Sequence, residues 1–285
     1  MRKIRIVATG GLGNQLFIWS FAHEISLSQR KNVLIYFDES SSDEFVRSGK
    51  LSELSTLCRH GIEVRVSRKF KFLLRLIDKA TNELEPLGLM LKRGIGIYDE
   101  SEFSKFTKIS RVSILRGFFQ EYEHVIHNIE PLSSEILGLL DKVSLEDFQP
   151  QAPYDFIHIR RGDYLNLKES WGVLSLNYFV KQYRADVPTI ISTDDEKSII
   201  EISELFPNAS VLGPNVISEL QAFKLMAYAS RVVTSNSSFS WWGAILANNL
   251  TGAEIVLPSP WTRIEWPNVR LTPIPGAIDS RSEFL

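Results

Sequence analysis

Side chains that could grip a phosphate stand in residues 158–164, which read HIRRGDY after an apolar run. His158 and Arg160 would point to the same face of a strand, because side chains alternate with a period of two. Such groups are costly inside a core without partners, whereas at the carboxyl end of a parallel strand they face a ligand crevice. The planar donor fork of Arg160 suits a pyrophosphate. The structural alternative is a salt bridge between Arg160 and Asp163 that caps the strand.

A second candidate pair, Asp194 and Asp195, ends the next apolar run. A carboxylate at the end of a parallel strand can accept two hydrogen bonds from a guanine base. Both aspartates would also suit the start of the helix that follows. The two interpretations are compatible if one residue caps the helix and the other reads the base.

A third candidate segment, residues 235–243, reads SNSSFSWWG at a predicted strand-to-helix turn. Its hydroxyls and free backbone N–H groups form a ready phosphate cradle. The tryptophan pair within it is typical of a core between helix and sheet.

A glycine-rich turn, residues 10–13, separates the first predicted strand from the first helix. Glycines let the backbone approach a ligand closely, with the helix N-terminus facing an anion. A dinucleotide fingerprint would need a third glycine where Leu16 stands, although Asp38 does end the next strand. A tight turn that closes a βα unit is the alternative.

The elements that would position these residues alternate between strand and helix. Ile4–Ala8, a helix over 14–29 and Val33–Phe37 give a βαβ opening, and 149–153 is the candidate linker. Further strands are predicted at 155–159, 189–192, 210–212, 231–234 and 254–257, and further helices at 177–184, 196–205, 217–230 and 239–248. This alternation predicts parallel sheets with crossover helices. We therefore expect an α/β protein with two domains, residues 1–150 and residues 151–285.

The composition excludes several classes of protein. The 285 residues include 32 basic and 34 acidic side chains, for a net charge of −2, which argues against a nucleic-acid partner. The single cysteine, Cys58, excludes an intrachain disulfide and a cysteine-rich zinc site, and it fits a reducing compartment. Neither an Asp-x-Asp pair nor a histidine ligand cluster occurs, so we expect no metal.

The apolar runs are far shorter than the ~18 residues that cross a bilayer, so we expect a cytoplasmic protein. Residues 65–79 carry six basic side chains, one acidic side chain and several large apolar ones. This pattern raises the hypothesis of peripheral contact with the inner face of an anionic membrane. The alternative is a solvated helix packed on the first domain.

The chain resembles the α-1,2-fucosyltransferases of the inverting, GDP-fucose-dependent glycosyltransferases. The segments GGLGNQLF at 10–17, HIRRGDY at 158–164 and SNSSFSWWG at 235–243 carry the resemblance, with STDD at 192–195 as a weaker match. It extends over nearly the whole chain and is weakest over residues 40–110.

This resemblance implies a GT-B fold, in which two Rossmann-like domains face each other across a cleft and the second domain holds the donor. Arg160 would bind the GDP pyrophosphate and stabilise it as the leaving group, beside His158. Asp194 or Asp195 would read guanine. The remaining donor-binding residues would be Gly13, Asn14, Asn236, Ser237, Ser238 and Phe239.

The implied reaction transfers L-fucose from GDP-β-L-fucose to the 2-hydroxyl of a terminal galactoside, with inversion and without a metal. The acceptor would be a galactose-terminated oligosaccharide, lipid-linked in one version of the hypothesis, in bacterial surface polysaccharide (O-antigen) synthesis. A general base is expected, with Asp163 as the first candidate and Asp38, Glu121 and His23 as others. The rival interpretations are an NAD-dependent oxidoreductase and a non-catalytic nucleotide-sugar-binding module.

Overall fold

A computed structural model describes residues 4–8, 10–29, 32–37, 62–66, 97–100, 114–145, 148, 150 and 153–285. The chain divides into two compact units, Met1–Asn128 and Ile129–Leu285. This division falls earlier than the predicted boundary at residue 150, because the helix Ile129–Leu140 packs against helices of the second unit.

The first unit contains a five-stranded parallel sheet. Its strands are β1 (Ile4–Ala8), β2 (Val33–Phe37), β3 (Ile62–Val66), β4 (Ile97–Asp99) and β5 (Ile114–Arg116). They lie in the order β3-β2-β1-β5-β4, and each neighbouring pair is parallel. A short strand, β6 (Gln120–Glu121), and helix α2 (Tyr122–Ile126) follow. The parallel βαβ opening expected from the sequence is confirmed.

Helix α1 (Leu12–Gln29) follows β1 and is buried on almost every side. Gly10 has a φ of 81° in the turn before it, a conformation that glycine adopts without steric cost. Near the end of the helix this burial stops, and the Leu27 side chain is 51% exposed.

The second unit contains a six-stranded sheet in the order β13-β11-β10-β7-β8-β9. Its strands are β7 (Asp155–Ile159), β8 (Thr189–Thr193), β9 (Ala209–Leu212), β10 (Arg231–Val233), β11 (Glu254–Ser259) and β13 (Ile278–Arg281), with a separate short strand β12 (Val269–Arg270). Every neighbouring pair in the sheet is parallel. The three adjacent strands β10, β7 and β8 are buried at every position, as expected for a parallel sheet covered on both faces.

The helices of the second unit are α3 (Ile129–Leu140), α4 (Leu176–Val180), α5 (Ile199–Leu205), α6 (Glu219–Ala227) and α7 (Ser238–Thr251). Two short 3₁₀ helices, Asp163–Leu167 and Glu196–Ser198, follow β7 and β8. The predicted helix over 177–184 was wrong at its end. After Val180 the backbone forms turns with hydrogen bonds between residues three apart, from Gln182 N to Phe179 O and from Tyr183 N to Val180 O. Arg184 pairs with Asp155.

A buried carboxylate ties the amino ends of two strands together. Asp155 is 1% exposed at the start of β7 and accepts hydrogen bonds from Arg184 at 2.5 and 2.9 Å. Its Oδ2 also lies 3.4 Å from the Arg231 guanidinium at the start of β10. Arg231 pairs in turn with Glu254 at the start of β11. This network aligns three adjacent strands at the end opposite to the candidate site.

Several sequence-based predictions lie outside the described residues. They concern Asp38, most of the basic segment 65–79 and most of the candidate linker 149–153. The hypothesis of membrane contact through residues 65–79 therefore stays a prediction. No helix among the described residues is both long and apolar enough to cross a membrane.

Candidate active site

The polar residues singled out in the second half of the sequence meet at the carboxyl edge of the second unit's sheet. Strands β10, β7 and β8 are adjacent and parallel, so their carboxyl ends lie side by side. The segments that leave them contain residues 234–237, 160–163 and 194–195 respectively. In open parallel sheets, ligands bind at this edge.

Arg160 directly follows the last residue of β7, and its guanidinium lies in an ion-paired cluster. Its guanidinium lies 2.6 Å from Asp163 Oδ1 and 3.0 Å from Asp194 Oδ2. Its Cζ lies 5.2 Å from the centre of the Tyr164 ring, within cation–π distance. We call these four residues the Arg160 cluster. The salt bridge between Arg160 and Asp163 that the sequence offered as a structural alternative is present.

The Arg160 cluster is partly shielded from water, with 16–20% of the side-chain surface of Arg160, Asp163 and Asp194 exposed, and this partial burial strengthens its electrostatics. Burial disfavours the charged guanidinium, but the carboxylates of Asp194 and Asp163 outweigh this cost and raise the pKa of Arg160. Burial likewise raises the pKa of Tyr164 to about 12, so its hydroxyl stays protonated and can donate a hydrogen bond. The Arg160 guanidinium is therefore permanently charged and is held between the carboxylates of Asp163 and Asp194.

Asp194 fixes the backbone of the loop as well as the guanidinium. Its Oδ1 accepts hydrogen bonds from the N–H groups of Arg161 at 2.9 Å and Gly162 at 3.2 Å. A Cβ at position 162 would overlap the Asp194 carboxylate, so glycine is required there for close approach rather than for φ. The loop after β7 is thus shaped around one carboxylate of the neighbouring strand.

His158 is buried one residue before the strand ends. Its Nδ1 lies 3.0 Å from Ser235 Oγ, and its ring centre is 5.1 Å from that of Phe239. Burial lowers the pKa of His158 to about 3, because desolvation outweighs the opposing effect of the Asp194 carboxylate, and the nearby Arg160 lowers the pKa further. The imidazole is therefore neutral near pH 7 and serves as a hydrogen-bonding group rather than a cation.

The turn before helix α7 is stabilised by internal hydrogen bonds. Ser240 Oγ lies 3.1 Å from the carbonyl oxygens of both Ser235 and Ser237. Ser237 is the N-cap residue, yet its side chain makes no capping hydrogen bond, so the first N–H groups of the helix are not satisfied by that cap. A helix N-terminus in this state favours an anion. The predicted core position of Trp241 and Trp242 is confirmed, since both are fully buried.

Asn236 links this turn to the loop that follows β7. Its Nδ2 donates to the carbonyl oxygens of Gly172 at 3.0 Å and Trp171 at 3.3 Å. The backbone carbonyl oxygen of Asn236 accepts hydrogen bonds from Trp171 Nε1 at 3.0 Å and Tyr164 Oη at 3.4 Å. Among the described residues, no donor satisfies its buried Oδ1.

Asp195 caps the helical turn after β8. It accepts hydrogen bonds from Lys197 N at 3.2 Å and Ser198 Oγ at 2.5 Å, and it lies 3.6 Å from Arg161 Nε. The N-cap interpretation is therefore confirmed for this residue. Asp194 and Asp195 thus both have hydrogen-bond partners within the protein.

The predicted donor-binding residues of the first unit lie in the first turn of α1, after β1. Gly13 is buried there, and Asn14 Oδ1 accepts a hydrogen bond from Gln120 Nε2 at 2.7 Å. Gln15 Nε2 donates to the Gly10 carbonyl at 2.8 Å, which closes the glycine turn. The turn has the tight βα geometry that the sequence offered as an alternative.

Sequence reasoning did not single out Trp171, and it named neither Tyr164 nor Ser235 individually, although both fall within the candidate segments 158–164 and 235–243. Trp171 gave no local signal, because its partner Asn236 is 65 residues away in the chain. The contact of Ser235 with His158 joins residues 77 positions apart, so spacing could not predict it either. No group of three or more His, Cys, Asp or Glu side chains in the described part of the chain could hold a metal ion.

The arrangement offers a buried cation, a neutral histidine and a helix N-terminus at one sheet edge, a combination suited to a nucleotide diphosphate. The sequence profile described as "Glycosyl transferase family 11" matches residues 97–259, which is more than half of the chain. The chain belongs to Glycosyl transferase family 11. This match spans the Arg160 cluster and the turn before helix α7, and it confirms the resemblance to the α-1,2-fucosyltransferases.

Two curated Escherichia coli proteins resemble this family 11 member along most of its length. The O-antigen biosynthesis glycosyltransferase WbnK is 26% identical over 287 aligned residues, covering 89% of this chain and 93% of its own. An α-1,2-colitosyltransferase is 27% identical over 270 residues, covering 88% and 90%.

The fold of the family 11 chain also resembles a solved structure. The NodZ α-1,6-fucosyltransferase of Bradyrhizobium, from a crystal soaked with GDP-fucose, aligns with a TM-score of 0.53 and 16% identity. The alignment covers 86% of this chain and 92% of that one. This likeness shows the fold alone. It confirms the GT-B class that the resemblance implied, in which each of two α/β units contains a parallel sheet.

Proposed function

We propose that this protein transfers L-fucose from GDP-β-L-fucose to the 2-hydroxyl of a terminal galactoside, with inversion to an α-linkage. The acceptor belongs to a bacterial surface polysaccharide under synthesis. Family membership establishes a glycosyltransferase, and it gives no support to the rival NAD-dependent oxidoreductase. The relatives named for O-antigen synthesis and for α-1,2 transfer support the acceptor class and the linkage.

The observation that carries the proposal is the state of Arg160. The charge of its largely buried guanidinium is matched by the carboxylates of Asp163 and Asp194. A diphosphate carries two parallel acceptor oxygens that fit the same donor fork better than two separate carboxylates. In the proposed mechanism, the GDP diphosphate takes the place of one carboxylate, and the developing negative charge is stabilised where the positive charge is already fixed.

Asp163 is the partner that this exchange would release. A carboxylate bound to a guanidinium is a poor proton acceptor, and it becomes available once the diphosphate has replaced it. The acceptor 2-hydroxyl oxygen then attacks the anomeric carbon of fucose and gives its proton to Asp163. The bond from that carbon to the phosphate oxygen breaks, and its electron pair leaves with GDP. Asp163 acts as the general base in this scheme.

The other donor contacts follow from the positions of the remaining side chains. The phosphates and ribose would lie at the turn before helix α7. The residues of this turn, of the first helical positions and beside them are His158, Asn236, Ser237, Ser238 and Phe239. Asp194 and Asp195 stay the candidates for reading guanine, and either must exchange a protein hydrogen bond to do so. Gly13 and Asn14 complete the proposed donor-binding set. No metal is required in this scheme, because Arg160 and backbone N–H groups neutralise the diphosphate.

A transfer assay tests the proposal. The purified protein is incubated with GDP-fucose and a panel of galactosides that includes 2-deoxygalactosides as matched controls, with and without EDTA. We expect α-1,2-linked product, no product from the 2-deoxy controls, and equal rates in EDTA. A parallel arm with a colitosyl donor tests whether the donor sugar follows the second relative. Transfer to another hydroxyl, or loss of rate in EDTA, would contradict the corresponding part of the proposal.

A further inference from the structure

An exposed indole lies close to the Arg160 cluster. Trp266 is 44% exposed, on the segment that leaves β11 at the same carboxyl edge of the sheet. Its ring centre lies 5.8 Å from that of Trp171, at an interplanar angle of 46°. A large aromatic ring exposed to this extent at a site edge forgoes burial energy, which favours a ligand that covers it.

The tryptophan pair is held rigidly by backbone hydrogen bonds. The N–H groups of Arg263 and Ile264 donate to the carbonyl oxygens of Trp171 at 3.0 Å and Ser170 at 3.2 Å. The Trp171 indole N–H donates to Asn236 in the turn before helix α7. The position of the Trp266 segment is therefore coupled to the candidate active site.

A continuous series of rings connects the exposed indole to the guanidinium. Trp171 lies 6.3 Å from Tyr164 in an edge-to-face arrangement, and Tyr164 lies beneath Arg160. Trp266 is thus separated from Arg160 by two aromatic side chains, a span that a short oligosaccharide can bridge.

The chemistry around Trp266 suits the face of a sugar rather than the edge of a base. The Arg263, Ile264 and Trp171 backbone groups described above already pair the two segments with each other, whereas guanine recognition needs free acceptors for its N–H groups. One face of a galactose ring presents mainly C–H groups, which pack on an aromatic ring without needing hydrogen bonds. An indole is the largest and flattest platform for this contact.

We propose that Trp266 is the stacking platform for a sugar residue of the acceptor, an inference that rests on the proposed function. Trp171 positions this platform through its contacts with Trp266 and Asn236. Acceptor affinity, rather than donor affinity or leaving-group chemistry, is the property that Trp266 controls.

The test compares Trp266→Ala, Trp266→Phe and the control Ile264→Ala, an exposed apolar residue of the same segment. We expect Trp266→Ala to raise the KM for the galactoside about tenfold, as loss of an aromatic stacking contact does. Trp266→Phe should restore most of the affinity, and Ile264→Ala should behave as wild type. The KM for GDP-fucose and the rate of GDP-fucose hydrolysis without acceptor should not change in any variant.

Saturation-transfer NMR with a methyl β-galactoside and GDP provides a readout that does not depend on turnover. We expect transfer to the C–H protons of the sugar in the wild type and its loss in Trp266→Ala. The inference is overturned if the galactoside signal and the KM are unchanged in Trp266→Ala, or if the KM for GDP-fucose rises instead. If the wild type neither hydrolyses nor transfers fucose, the proposed function fails, and the NMR comparison still decides the role of Trp266.

Discussion

The side chain of Arg160 is held in position at the end of β7 by two carboxylates and an aromatic ring of the protein itself. A donor fixed in this way costs no reorganisation when the leaving group develops charge. Asp194 contributes twice, because it also holds the backbone of the Arg161–Gly162 loop. Removal of the guanidinium should therefore affect the chemical step more than the fold.

We predict that Arg160→Ala lowers kcat for fucosyl transfer by about 10²–10³, which is the typical cost of losing one charged donor to the transition state. The kcat of Arg160→Lys should lie between those of the wild type and Arg160→Ala, because an ammonium supplies a point charge without the planar fork of donors. Initial rates at saturating substrates measure the effect, and circular dichroism checks folding. Arg281→Ala, an exposed arginine of the same unit, is the control. Turnover near the wild-type rate in a folded Arg160→Ala protein would disprove the role.

Because buried His158 is neutral in the folded protein, the free energy of unfolding should depend on pH. Burial lowers its pKa from 6.5 in the unfolded chain to about 3 in the fold, so the unfolded state binds the extra proton first. Stability should fall as the pH drops through this window, with a slope of up to about 1.4 kcal/mol per pH unit from this group.

Urea unfolding at pH 7 and pH 5 measures this effect. We predict that His158→Gln, which cannot titrate, loses less stability between the two pH values than the wild type does. His127→Gln, at an exposed histidine, should lose as much as the wild type. An equal loss in wild type and His158→Gln would show that His158 does not carry the dependence.

At the scale of elements, strand order decides which side chains meet. The positions of His158, Arg160 and Asp194 at strand ends could be predicted, because each follows a short apolar run and the carboxyl ends of parallel strands share one edge. The contacts of Asn236 with Tyr164 and Trp171 could not, because they join residues 72 and 65 positions apart. Local spacing carries no information about such contacts.

The ends of elements were also harder to predict than their existence. The helix predicted over 177–184 stops at Val180, although Lys181, Gln182 and Arg184 all favour helices. Arg184 is drawn instead to buried Asp155, a partner 29 residues earlier in the chain. A tertiary ion pair has overridden a weak local preference.

We predict that Asp155→Ala lowers the free energy of unfolding by about 3 kcal/mol, because it removes the buried carboxylate shared by Arg184 and Arg231 and leaves Arg231 with the partly exposed Glu254 as its carboxylate partner among the described residues. Denaturant unfolding measures the change. Glu254→Ala removes a partly exposed partner of the same arginine and should cost about 1 kcal/mol or less. Equal losses in the two variants would contradict the view that Asp155 anchors the strands.

At the scale of the whole molecule, the chain builds two units, each around a parallel sheet, and the match to family 11 spans the candidate active-site residues of the second unit. The fold alone allows many functions, so the reaction is argued from the Arg160 cluster and the turn before helix α7. The central claim is that this cluster exchanges a carboxylate for a diphosphate.

A crystal structure of the protein with GDP tests that claim most directly. We predict diphosphate oxygens within hydrogen-bonding distance of the Arg160 guanidinium, with Asp163 moved away from it and no metal ion bridging the phosphates. GDP bound away from residue 160, with the Arg160–Asp163 ion pair intact, would contradict the account.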